Sequence, residues 1–167
     1  MNETVENYLK YISLDGKNKK QAYNNIGCLY LKRNNPKTAK DFFLKGIKFG
    51  EDKIIINNLF RSYILLRDTI NSDILFRKAE NIDKNFLEFK YNKAKYLILK
   101  NEIENAIKIL KDNINNSQFL ITLLILYSNI GRKEDCNKLL AEAKDKIINE
   151  PEFLNYYGLK LLYEGNF

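Results

Sequence analysis

The chain has 167 residues, 45% hydrophobic and 29% charged, and its 28 basic against 21 acidic residues leave a net charge of +7. Two prolines and seven glycines are too few to punctuate a many-stranded sandwich or a Rossmann fold, so a mostly helical protein is favoured. The absence of histidine excludes catalytic triads, histidine-bound zinc and histidine-based acid-base catalysis.

In chain order, a helix is expected over about residues 3–14, closed by Asp15 and Gly16, with Val5, Leu9 and Ile12 facing whatever follows; residues 1–16 read as a capping helix. Behind it, the segments around Tyr30, Tyr63, Leu97, Tyr127 and Leu161 recur at steps of 33, 34, 30 and 34 residues. These steps divide a single domain, 1–167, into repeats at 20–52, 53–86, 87–116 and 117–150 and an incomplete fifth at 151–167. Each repeat reads as two helices joined by a short polar turn, at Lys32 to Pro36, Arg67 to Thr69, Lys100 to Glu102 and Gly131 to Lys133. Asn35 and Pro36 suit a turn with proline in the first helical position. A last helix over about 151–164 brings the total to ten. Small residues (Gly27, Ala39, Gly46, Ala79, Ala94, Ala106, Ala143, Gly158) mark where paired helices cross, and Tyr30, Phe43, Tyr63, Phe76, Tyr127 and Leu140 fill the flanking grooves.

The run Tyr23-Asn24-Asn25-Ile26-Gly27-Cys28-Leu29-Tyr30, followed by Ala39, Phe43 and Gly46, resembles the tetratricopeptide repeat. Later copies keep the frame with Leu59, Tyr63, Phe76 and Ala79, then Ala94, Leu97, Ala106 and Leu110, then Leu123, Tyr127, Gly131, Cys136 and Leu140. The resemblance implies an all-α fold, a right-handed alpha-alpha superhelix of about four helix pairs plus flanking helices, which binds partners in its concave groove. Family geometry then implies groove positions at Asn24, Cys28 and Lys32, at Asn57, Asn58 and Arg61, and at Tyr91, Asn92 and Lys95. It adds Ile121, Ile125 and Asn129 from the fourth repeat and Asn155, Leu159 and Tyr163 from the fifth. The N-terminal half of such a groove is amide-rich and cationic, suited to a peptide backbone and a carboxylate; the C-terminal half is apolar, with Ile121 and Ile125 as anchors. The carboxylate clamp of some family members is matched only in part, because Asn58 fits while Cys28 and Asn24 stand where an asparagine and a lysine belong. Phe60 and Leu124 replace small residues of the pattern and Asn113 another, so those interfaces should open or shift. The 30-residue step is short by about one helical turn, so either the superhelix changes pitch there or the fourth repeat is framed differently.

The expected activity is therefore non-catalytic: a protein-protein interaction module, adaptor or scaffold, taking a peptide or amphipathic helix of a protein partner. A nucleic-acid-binding repeat protein is the alternative, favoured by net charge and by Tyr91 beside Lys95. Against it, the excess of lysine over arginine together with abundant asparagine and isoleucine is what an AT-rich genome produces. No enzyme, cofactor or metal site is expected, since no phosphate loop, metal-spaced cysteine pair or nucleophile-base set can be assembled. Cys28 and Cys136 read as free thiols of a cytoplasmic protein, with neither a signal peptide nor a membrane-length apolar run in sight. The bulky residues around the helix at 151–164 suggest self-association through it, or a longer repeat array.

Overall fold

The structure is a computed structural model that describes residues 3–14 and 16–147, the last five of these by backbone alone, and Pro151. Among the described residues there are nine helices and no strand. They are α1 (Glu3–Ser13), α2 (Lys19–Lys32), α3 (Pro36–Ile47), α4 (Lys53–Leu65), α5 (Thr69–Asp83), α6 (Leu87–Leu99), α7 (Ile103–Asp112), α8 (Ser117–Asn129) and α9 (Lys133–Ile147). The tenth helix expected over 151–164, and the positions Ala143, Asn155, Gly158, Leu159, Leu161 and Tyr163, lie outside the described side chains. Contacts divide the chain into two compact units, Met1–Glu102 and Ile103–Phe167, so α1 to α6 belong to the first and α7 to α9 to the second. In the first unit α1 packs on α2, α2 on α3, and α4 on α3, α5 and α6; in the second, α8 packs on α7 and α9.

One turn design closes α2, α4, α6 and α8. The carbonyls of Tyr30, Tyr63, Leu97 and Tyr127 each accept a bond from the amide five residues on, at Asn35, Asp68, Glu102 and Arg132, over 2.8–3.0 Å. The residue before that amide lies in the left-handed region: Asn34 (φ 55°), Arg67 (55°), Asn101 (62°) and Gly131 (76°). This double-bonded helix end satisfies carbonyls that would otherwise be orphaned, and it fixes where the next helix begins. Asn35 and Asp68 then cap their helices by accepting from the amides of Thr38 and Asn71, both at 3.1 Å. Four of the five residues that align the repeats in sequence are thus the ones that anchor these turns.

Packing within the pairs follows the small-against-large pattern. Phe43 of α3 is fully buried, and a Cβ built on Gly27 of α2 would stand 2.7 Å from its ring Cδ1. Ala39 is fully buried, and a Cβ on Gly46 would meet Ile55 Cδ1 at 2.6 Å, so α4 approaches α3 where only hydrogen fits. Phe60, expected to open its interface, is instead fully buried at the centre of a ring cluster that joins α4, α5 and α6. Its ring centroid lies 6.3 Å from Phe76, 6.1 Å from Phe89 and 5.6 Å from Tyr96. Leu124 is likewise fully buried, opposite the small Cys136, whose thiol donates to the Leu124 carbonyl at 3.7 Å. The short third step has a local cause: α7 ends at Asp112, and Asn113 bonds back through Nδ2 to the Ile109 carbonyl at 2.8 Å.

Two substitutions test these constraints in opposite directions. Gly27→Ala drives a methyl into the Phe43 ring and lowers stability in urea denaturation by about 1–3 kcal/mol. Arg67→Gly releases an exposed side chain from a left-handed backbone and raises stability by about 1 kcal/mol.

Candidate functional site

The residues expected in the first unit's groove come from α2, α4 and α6, and the structure separates them into two groups. Asn24, Asn57 and Asn92 are buried, at 5%, 3% and 2% exposure. Their amides are taken up inside the fold. Asn92 Nδ2 donates to Asn57 Oδ1 at 2.9 Å, and Asn58 Nδ2 donates to Asn24 Oδ1 at 2.9 Å. A third bond of this kind, which the sequence reading missed, runs from Asn25 Nδ2 to the Tyr8 hydroxyl of α1 at 3.1 Å. In each case an asparagine reaches back to the preceding member of the series α1, α2, α4, α6, forming a ladder with one rung per step. The signal was in the alignment: Asn25, Asn58 and Asn92 each stand five residues before Tyr30, Tyr63 and Leu97, and the acceptors Asn24 and Asn57 stand one residue before two of these donors.

The second group keeps contact with solvent. Cys28 and Asn58 are half-buried, Lys32 and Arg61 are exposed, and Tyr91 and Lys95 are half-buried, with Lys95 Nζ 5.2 Å from the Tyr91 ring centroid. Asn58 Nδ2 also approaches Cys28 Sγ at 3.5 Å. Burial pushes the Cys28 thiol above its ordinary pKa, opposed by the positive charges of Arg61 and Lys32, so at neutral pH the group is a thiol and not a nucleophilic thiolate. Both cysteines are free. The charges acting on Cys28 are both positive. Lys32, Arg61 and Lys95 form no ion pair among the described residues, unlike Lys20 with Asp52 at 2.6 Å, Lys53 with Asp83 at 3.0 Å and Lys93 with Glu80 at 2.7 Å on the same three helices.

In the second unit, Ile121 is buried at 5% exposure and is core; Ile125, one turn on, is 39% exposed, and Asn129 is exposed at the end of α8. Among the described residues no cluster could hold a metal ion, and no helix is long and apolar enough to cross a membrane.

Residues 20–49 match the tetratricopeptide repeat. No curated protein matches the chain in sequence. Among solved structures, the chain is similar to residues 41 to the end of MamA from Desulfovibrio magneticus RS-1, with a TM-score of 0.60 and 17% identity over 89% of this chain and 86% of that one. A double mutant of the RS-1 MamA gives the same values. YrrB, described as a TPR protein with an unusual peptide-binding site, superposes with a TM-score of 0.60 at 18% identity, over 92% of this chain and 81% of that one. The chain has the all-α helical-repeat fold of tetratricopeptide proteins, and residues 20–49 match one such repeat.

The ladder can be tested directly. Asn92→Ala leaves the buried Asn57 Oδ1 without its donor and costs about 1–3 kcal/mol in chemical denaturation. Asn58→Ala, at a half-buried rung that water can reach, costs less.

Proposed function

We propose that the chain is a non-catalytic interaction module that holds an acid-bearing segment of a protein partner on the α2, α4 and α6 face of its first unit. The observation that carries this reading is the electrostatics at Cys28: Arg61 and Lys32 both act on it, and no carboxylate does. Cations gathered without counter-charges repel one another, and a ligand's carboxylate relieves that repulsion. Arg61 and Lys95 are the charged contacts in this reading, Lys32 bounds the face at the end of α2, and Asn58 and Cys28 form a neutral floor. The buried amides of Asn24, Asn57 and Asn92 set the spacing of the face and do not touch the ligand. That YrrB carries a peptide-binding site supports the reading, since the same fold serves that purpose there. Ile125 is a separate apolar contact on the second unit. The setting proposed is the cytoplasm, where both thiols persist, and self-association through residues 151–164 remains part of the proposal.

The nucleic-acid alternative has little to stack a base on: of the expected groove positions among the described residues, Tyr91 alone is aromatic.

A photo-crosslinker placed at position 61 captures a partner protein from cell extract, and the double substitution Arg61→Glu with Lys95→Glu abolishes capture while helix content by circular dichroism is unchanged. Undiminished capture by the double variant would sink the reading. Capture of random oligonucleotides that falls steeply with salt would favour the nucleic-acid alternative.

A further inference from the structure

Away from that face, the surface between α1 and α2 dips into a cleft of about 460 Å³. Ligand sites occupy roughly 300–1,000 Å³, so the cleft is large enough for one. Tyr8 and Tyr11 form one wall from α1, and Asn18, Gln21, Ala22 and Asn25 form the other. None of the described residues lining it is charged, in a chain where 29% of residues are.

Its polar groups are organised. Gln21 Nε2 donates to Asn25 Oδ1 at 3.1 Å, Asn25 Nδ2 donates to the Tyr8 hydroxyl at 3.1 Å, and the Asn18 backbone amide donates to the Tyr11 hydroxyl at 3.2 Å. Both phenols therefore accept a bond, and neither donates to an acceptor among the described residues, which leaves each O–H for a ligand. Tyr11 is 41% exposed, and it is held by its hydroxyl, which accepts from the Asn18 amide, with its ring lying close over Gly16, where a Cβ would stand 2.7 Å from ring Cδ1. An exposed aromatic already held in place loses little conformational entropy when a ligand covers it.

We propose that this cleft binds a proline-rich segment in the polyproline II conformation. Proline rings are flat, apolar and uncharged, which matches two tyrosine walls in a lining without charge. The carbonyls of such a segment are not engaged by its own backbone, and its prolines have no N–H, so it brings mainly acceptors to two phenols that are ready to donate. Its conformation is preformed, so docking onto a fixed aromatic pair orders little on either side. This site shares no residue with the cationic face.

The test is titration of the full chain with a blocked proline decapeptide, followed by NMR and calorimetry, with a glycine-serine decapeptide as control. Saturable binding is expected, with shifts centred on Tyr8, Tyr11, Asn18, Gln21 and Asn25, and no binding of the control. Tyr11→Ala weakens binding about tenfold or more, as loss of an aromatic anchor does. If that variant loses α1 by circular dichroism, Gln21→Arg, at an exposed position, decides by adding bulk and charge to the cleft and is expected to weaken binding to the same degree. Absence of shifts at millimolar peptide, equal binding of the control, or full affinity in Gln21→Arg would overturn the proposal.

Discussion

Side-chain amides bonded from helix to helix set the geometry of the first unit. A buried amide that loses its partner costs more than a formed bond returns, so each asparagine commits its helix to one position along its neighbour. Asn58 on Asn24 and Asn92 on Asn57 are separated by 34 and 35 residues in sequence, and that near-constant interval is the repeat itself expressed as a hydrogen bond. Apolar packing alone would tolerate sliding, because Leu, Ile and Phe surfaces are interchangeable over small shifts. Where the frame is set by rings instead, around Phe60, the cluster is equally particular, since Phe76 stacks on Tyr96 at 5.1 Å and Tyr96 is itself tied by its hydroxyl to Asp73 at 2.6 Å.

Helix positions and turns were legible in the sequence because they depend on local chemistry. Tyr30, Tyr63, Leu97 and Tyr127 mark the same place in four turns, and Asn35 before Pro36 announces a helix start. The fates of Asn24, Asn57 and Asn92 were not legible. An asparagine on a helix face looks the same whether it meets a ligand or the next helix, and only the spacing of neighbouring helices decides which. Phe60 misled for a related reason: judged against a pattern that has a small residue there, it predicts a gap, while in this chain Phe76, Phe89 and Tyr96 supply matching surface. Ile121 and Ile125 lie four residues apart on α8, yet one is core and the other is 39% exposed. A segment apolar on every side carries no periodicity from which to tell them apart.

Charge is distributed by element. The ion pairs Lys20 with Asp52, Lys53 with Asp83, Lys78 with Glu51 and Lys100 with Asp73 link segments of the first unit, and exposed pairs of this kind add little stability each. Their greater effect is on the surface potential, since each cancels one positive charge locally, while Lys32 and Arg61 act together on Cys28 with no carboxylate between them. A net charge of +7 spread over a chain says little; three cations on adjacent helices say more.

The rungs also share one direction. Asn25 donates to Tyr8, Asn58 to Asn24 and Asn92 to Asn57, so the donor always belongs to the later segment and the acceptor to the earlier one. Chains are made from the N-terminus, and early segments begin to fold while later ones are still being synthesised. An asparagine amide carries donor and acceptor on one group, so a later helix can complete its bond to an earlier one by turning that side chain alone, with the earlier helix left as it is.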